Sequence, residues 1–159
     1  MRDIQPDQPM RWNEVIRTEL ESLRGVDWLR DGDVLFVAKG TRYFAACLAD
    51  VPPNTISSPH MYVLRVKAPD RLIPEFLAWQ INQRPAQKYF TQTALGTNQL
   101  SIRRAVLESM TLAVPILEKQ RKVLALAQLA GAERFAMEKL IKNRQQQLDA
   151  VAREMLLKN

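Results

Sequence analysis

His60 is the single histidine of the chain and Cys47 its single cysteine, so the side chains of covalent and acid–base catalysis are scarce. His60 follows Ser57-Ser58-Pro59, and a Ser58–His60 dyad is the simplest hydrolytic arrangement available. Such a dyad needs an orienting acid and an oxyanion site. No residue at a telling spacing supplies either. A histidine capping a strand or bordering the core is the expectation. Cys47 lies in the apolar run Tyr43-Phe44-Ala45-Ala46-Cys47-Leu48, which favours a buried, inert thiol. Asp27, Asp31 and Asp33 invite a metal reading, but their spacing matches no calcium loop. Asp31-Gly32 is turn chemistry instead. The chain has no GxxxxGK[ST] or GxGxxG segment to cradle a phosphate, and no S-adenosylmethionine-type motif. It is expected not to be an enzyme and to use no metal or cofactor.

Side chains that bind polyanions are better supplied. Between Glu75 and Glu108 there is no acidic residue. That stretch holds Arg84, Lys88, Arg103 and Arg104, with Gln80, Asn82, Gln83, Gln87, Gln92, Asn98 and Gln99. Thr91, Thr93, Thr97 and Ser101 add hydroxyls, and Trp79, Tyr89 and Phe90 are interleaved. Arginine and lysine neutralise phosphates, while Asn, Gln and Arg make bidentate contacts to base edges. The Gly96-Thr97-Asn98-Gln99 loop before a helix starting at Ser101 is suited to a groove, and helix N-terminal amides favour phosphate. The candidate DNA-binding residues are Arg84, Lys88, Thr97, Asn98, Gln99, Arg103 and Arg104. The alternative is that the glutamines solvate a helix face. The aromatics are expected in the core.

Charge points the same way. The 159 residues carry 23 Lys and Arg against 17 Asp and Glu, a formal +6. Residues 1–60 hold 7 basic and 9 acidic groups, residues 61–115 hold 7 and 3, and residues 116–159 hold 9 and 5. A basic half suits nucleic acid. With 47% hydrophobic and 25% charged residues, the composition is that of an ordinary folded chain. No apolar run approaches the roughly 20 residues of a membrane span. The segment Met1–Pro6 has no apolar h-region, so no secretory signal is expected. One cysteine excludes an intramolecular disulfide and suits a reducing cytoplasm.

These residues must be positioned by a mixed set of elements. Trp12, Val15, Ile16, Leu20 and Leu23 fall at helical spacing and Gly25 reads as a stop, which predicts a helix over 10–24. Asp31-Gly32 precedes a strand at Val34–Val37. Lys39-Gly40 turns it into a returning strand, Tyr43–Leu48. A third strand over 60–66 is apolar on both faces and is expected to be central. Pro74 suits the first turn of a helix through Ile81, and Pro85 opens another through Phe90. Ser101 is expected to N-cap a helix over Ile102–Met110. Thr111–Val114 reads as a short strand ended by Pro115.

From about Glu118 to Lys158 there is no proline and only Gly131, amid strong helix formers. Leu126, Leu129, Ala136 and Leu140 fit one a/d heptad, with Glu133 as the misfit. Met137, Ile141, Leu148, Val151 and Met155 fit another shifted by one residue, with Arg144 as the misfit. A seam that drifts near residue 140 suits a helix packed on a partner without forming a regular coiled coil. The alternative is two shorter helices broken near Gly131 and folded back. The candidate dimerisation residues are Leu126, Leu129, Leu140, Ile141, Leu148, Val151 and Met155.

In order along the chain come Leu29-Arg30-Asp31-Gly32-Asp33-Val34-Leu35-Phe36, a hairpin, and Ser57-Ser58-Pro59-His60-Met61 leading into Val63-Leu64-Arg65. Ile73-Pro74-Glu75-Phe76-Leu77 and Gly96 before Leu100-Ser101 follow. Leu112-Ala113-Val114-Pro115-Ile116-Leu117-Glu118-Lys119-Gln120-Arg121-Lys122-Val123 then enters the long helix. Over about residues 28–158 this order resembles the target-recognition domain and conserved helix of a type I restriction–modification specificity (S) subunit. The resemblance implies an α+β fold, with a small mixed recognition domain over 1–115 and a long coiled-coil-like helical arm over 116–159. It implies sequence-specific binding of double-stranded DNA without catalysis. Partners would be the DNA methyltransferase (M) subunit and a restriction (R) subunit. The family places two recognition domains on two antiparallel helices. This chain has one of each, and its segment before Leu29 looks shorter than the usual start. A homodimer would rebuild the two-fold arrangement. Recognition residues vary widely in the family, so the site residues above rest on charge alone. The alternative is a protein-interaction module that docks a methyltransferase or another specificity subunit and binds DNA little.

Overall fold

The computed structural model describes residues 10–19, 22, 24–40, 42–93 and 101–157. The turn at Asp31-Gly32, with Gly32 at φ +81°, feeds β1 (Val34–Val37). A positive φ costs glycine little because it has no Cβ. β2 (Phe44–Cys47) returns antiparallel, with Val34 opposite Cys47 and Val37 opposite Phe44. β3 (Met61–Leu64) also pairs antiparallel with β1, Val34 opposite Leu64. The sheet order is therefore β2-β1-β3. β1 is the central strand and β3 an edge, contrary to the expectation from the apolar faces of 60–66. All four β1 residues are buried, whereas those of β3 are only half-buried.

Period-two alternation sends β1 side chains to two cores. Val34 and Phe36 join Ala45, Leu77, Ile81, Phe90 and Ile102 on one side. Leu35 and Val37 join Leu29, Ala46 and Leu48 on the other, where Met10 and Trp12 also pack. Burial on both faces explains the unbroken apolar run of this strand.

The helical side is built by α1 (Pro74–Asn82), α2 (Arg84–Thr93) and α3 (Arg104–Glu108). Pro74 occupies the first turn of α1, where its missing N–H has no intrahelical partner to lose. Of the aromatics expected in the core, Phe90 is in it and Tyr89 packs against it, whereas Trp79 is half-buried outside it, stacked on Phe76 at 5.4 Å. Phe90 is fully buried, 5.0 Å from the Phe36 ring centroid and 6.4 Å from that of Tyr43. Tyr89 donates its hydroxyl to the Val106 carbonyl at 3.0 Å.

Three further sequence expectations are corrected. Among the described residues of the helix expected over 10–24 there is only a 3-10 turn, Trp12–Glu14, followed by extended backbone at Val15. Trp12 is drawn to the second core and donates its indole N–H to the Ala49 carbonyl at 3.1 Å, while Ile16 is left 88% exposed. Leu20 and Leu23 lie outside the described residues. Ser101 does not cap a helix. It bridges Lys39, and the Ile102 N–H donates to the Ala38 carbonyl at 2.9 Å, so α3 starts only at Arg104, with Arg103 as N-cap. Thr111–Val114 is an irregular exposed segment rather than a strand.

α4 (Leu117–Leu157) runs 41 residues without a break, through Gly131. At 1.5 Å per residue it is about 60 Å long. The chain divides into two compact units, Met1–Arg121 and Lys122–Asn159. The first turn of α4 belongs to the first unit and is anchored there by Gln120, which is fully buried. Its Oε1 accepts the Ile73 N–H at 2.9 Å. Its Nε2 donates to the Arg71 and Pro115 carbonyls at 2.7 and 2.6 Å. Gln120→Leu keeps the volume but leaves one buried donor and two acceptors without that partner. We expect a loss of about 2 kcal/mol in urea unfolding. A loss under about 0.5 kcal/mol would show that water or a neighbour replaces the amide.

Candidate nucleic-acid interface

The acidic triplet at the β1 entrance is structural. Asp33 is buried and accepts both arms of the Arg65 guanidinium, Nε to Oδ1 and Nη2 to Oδ2, each at 2.7 Å. Its Oδ2 also accepts the Arg30 N–H at 2.9 Å. Burial opposes ionisation of Asp33, but the Arg65 hydrogen bonds, the Arg30 N–H and both arginine charges together hold its carboxyl below the ordinary value. Arg65 reaches on to Asp27 at 3.0 Å and to the Trp28 carbonyl at 3.1 Å. Asp31 accepts the Val51 N–H at 2.8 Å. Among the described residues no group of three His, Cys, Asp or Glu could hold a metal ion.

The other chemical candidates sit in structural surroundings. Cys47 is half-buried, and burial, with Glu75, Asp33 and Asp31 nearby, pushes its thiol up to about 12. It stays protonated and unreactive at neutral pH. The Ser58 hydroxyl accepts the backbone N–H of His60 at 3.4 Å, a turn contact rather than a nucleophile–base pair.

Several amides of the acid-free stretch are engaged with backbone. Asn82 clips Ala45, accepting its N–H and donating to its carbonyl, both at 2.8 Å. Gln80 clips Ala113 the same way, both at 2.9 Å. Gln83 donates to the Trp79 carbonyl and Gln87 to that of Ile81. Asn82 and Gln80 thereby use both the donor and the acceptor that a bidentate base contact would need. Both ends of these two amides are thus paired with backbone, while Gln83 and Gln87 each donate one such hydrogen bond.

The cations are placed differently. Arg84, Lys88, Arg103 and Arg104 are all exposed. Arg84, Lys88 and Arg103 have no ion-pair partner among the described residues. Arg104 pairs with Glu108 at 2.7 Å across one turn of α3, both side chains more than half exposed. Thr97, Asn98 and Gln99 lie outside the described residues. Arg104 lines an open groove of about 650 Å3 with Arg65, Lys67 and Arg71, between walls that include Leu64, Val66, Leu72 and Val114. Arg84, Lys88 and Arg103 do not line it. Lys67 and Arg71 were missed from sequence because they precede the acid-free window. The available signal was the excess of 7 basic over 3 acidic groups in residues 61–115. A second groove, about 380 Å3, lies between Trp79, Pro85, Tyr89, Met110 and Leu112.

In the second unit Leu126, Leu129, Leu140, Ile141, Leu148, Val151 and Met155 are each more than half exposed. Phe135, Met137 and Leu156 are exposed as well. At 3.6 residues per turn Phe135 falls on the side of α4 opposite the seam. Among the described residues no helix is long and apolar enough to cross a membrane. No family model matches the chain, and no curated protein matches it.

Proposed function

We propose that the first unit binds double-stranded DNA without catalysis, as the specificity component of a type I restriction–modification system, and that α4 pairs two chains into a homodimer. The methyltransferase subunit, and the restriction subunit through it, would supply the chemistry in the cytoplasm. The observation that carries DNA binding is the set of exposed cations, Arg84, Lys88, Arg103 and Arg104, on elements with no carboxylate between Glu75 and Glu108. The specificity role rests on the ordered resemblance over residues 28–158. Homodimerisation rests on the exposed apolar seam of α4.

The test of DNA binding is Arg103→Ala with Arg104→Ala. Each lost phosphate contact lowers the salt slope of log K by about 1. The double variant should therefore bind duplex DNA more weakly, with a slope lower by about 2. Unchanged affinity and slope would remove these residues from the interface.

The α4 stripe also favours a second reading, an interaction module that docks a methyltransferase or another specificity subunit. It predicts a stable protein complex with no sequence-selective shift of DNA. Co-purification of a methyltransferase with a tagged chain, followed by gel shifts of the purified protein, separates the two.

A further inference from the structure

The exposed cations of the first unit include a set that the chain order conceals. Lys67 and Arg71 flank the end of β3 and the entry to α1, more than thirty positions before Arg104. The fold brings all three to the same open groove, beside Arg65. Every residue lining that groove is either cationic or apolar, with no carboxylate, amide or hydroxyl among them. The carboxylates that pair with these cations, or adjoin them in sequence, are accounted for. Asp70 is exposed beside Arg71 in sequence but does not line the groove. Asp27 and Asp33 hold Arg65. Glu108 holds Arg104 through an exposed pair, a kind of little net worth that is readily exchanged for another anion. Lys67 and Arg71 have no ion-pair partner among the described residues.

We propose that this groove holds the phosphate backbone of a DNA duplex through Lys67, Arg71 and Arg104, and positions the domain without reading bases. The proposal rests on the DNA-binding reading above and deepens it. Donors alone can contact guanine, but telling all four base pairs apart also needs acceptors, for the amino groups of adenine and cytosine. The groove offers donors only. Gln80, Asn82, Gln83 and Gln87, amides of α1, of α2 and of their junction, each donate to a backbone carbonyl. Cations between aliphatic walls suit an anion repeated along a strand, and such contacts set register while carrying no sequence information.

The test is Lys67→Ala with Arg71→Ala, and separately Lys67→Glu with Arg71→Glu, in the full chain. Both sites are exposed, and a melting curve matching the parent shows that the fold is kept. Two 20-bp duplexes of unrelated sequence are titrated at low and moderate salt. The alanine pair should weaken binding roughly 10-fold at low salt, equally for both duplexes, with a salt slope lower by about 2. The glutamate pair should weaken it further. Loss confined to one duplex would mean that the groove reads bases and would overturn the proposal. Unchanged binding by both pairs would overturn the groove assignment alone. Failure of the parent chain to bind either duplex would overturn the DNA-binding reading itself.

Discussion

Asp33→Asn is expected to destabilise the first unit by about 3 kcal/mol, the lower end of what breaking a buried ion pair costs. Asp33 is 1% exposed and ties three segments together: the turn at Arg30, the start of β1 and the residue after β3. The amide of asparagine would keep one acceptor but turn an N–H toward the Arg65 fork. The cost stays at the lower end because Arg65 is 36% exposed and keeps Asp27 and the Trp28 carbonyl. The pair also sets a pH dependence. The Asp33 carboxyl lies below its ordinary 3.8 in the folded chain. A lowered folded value means that the unfolded chain binds the proton more readily, so the stabilisation is complete above about pH 4 and fades as pH falls below it. The parent should lose stability in acid more steeply than the asparagine variant. Urea unfolding at pH 7 and over a series from pH 5 to 2 measures both effects. A change under about 1 kcal/mol at pH 7, or equal acid limbs, would show that Arg65 is not the anchor of β1.

The second large effect is expected on association. Ile141→Asp with Leu148→Asp places two carboxylates on the α4 seam, at positions 69% and 65% exposed in the single chain. In a homodimer paired along this face, four apolar side chains would be lost. At about 1.5 kcal/mol each this is about 6 kcal/mol per dimer, or roughly four decades in Kd. Sedimentation equilibrium should read a monomer at concentrations where the parent is a dimer. Circular dichroism should change little, because two exposed aspartates cost a 41-residue helix only a small share of its stability. A dimer that survives both changes would place the contact elsewhere. Phe135, on the other side of α4, is the next residue to test.

Local signals made much of the fold legible in advance. The run Val34–Val37 after Asp31-Gly32 forms a strand because β-branched and aromatic side chains follow a residue free to adopt positive φ. Pro74 and Pro85 stand in the first turns of α1 and α2, and α4 grows from forty residues of strong helix formers. Where the expectation failed, a contact distant in sequence overrode a local pattern. Residues 10–24 have helical spacing, yet Trp12 is held by Ala49, 37 positions away. Ser101 has the chemistry of a cap, yet it bridges Lys39. Thr111–Val114 has strand composition, yet Gln80 takes both backbone hydrogen bonds of Ala113.

The candidate site divides in the same way. A lack of acidic residues between Glu75 and Glu108 is a property of the chain alone, and it was enough to select Arg84, Lys88, Arg103 and Arg104 as exposed cations. The apolar heptads of α4 likewise need no tertiary information, since 3.6 residues per turn align them on one side of any helix. The backbone contacts of Gln80 and Asn82 were decided only by tertiary structure. A glutamine that clips a backbone and one that reads adenine present the same donor and acceptor, so type and spacing do not separate Gln80 from a base-reading residue. The meeting of Lys67 and Arg71 with Arg104 also belongs to the fold alone. Charge is written residue by residue, but a groove exists only once β3, the entry to α1 and α3 have packed around the same core.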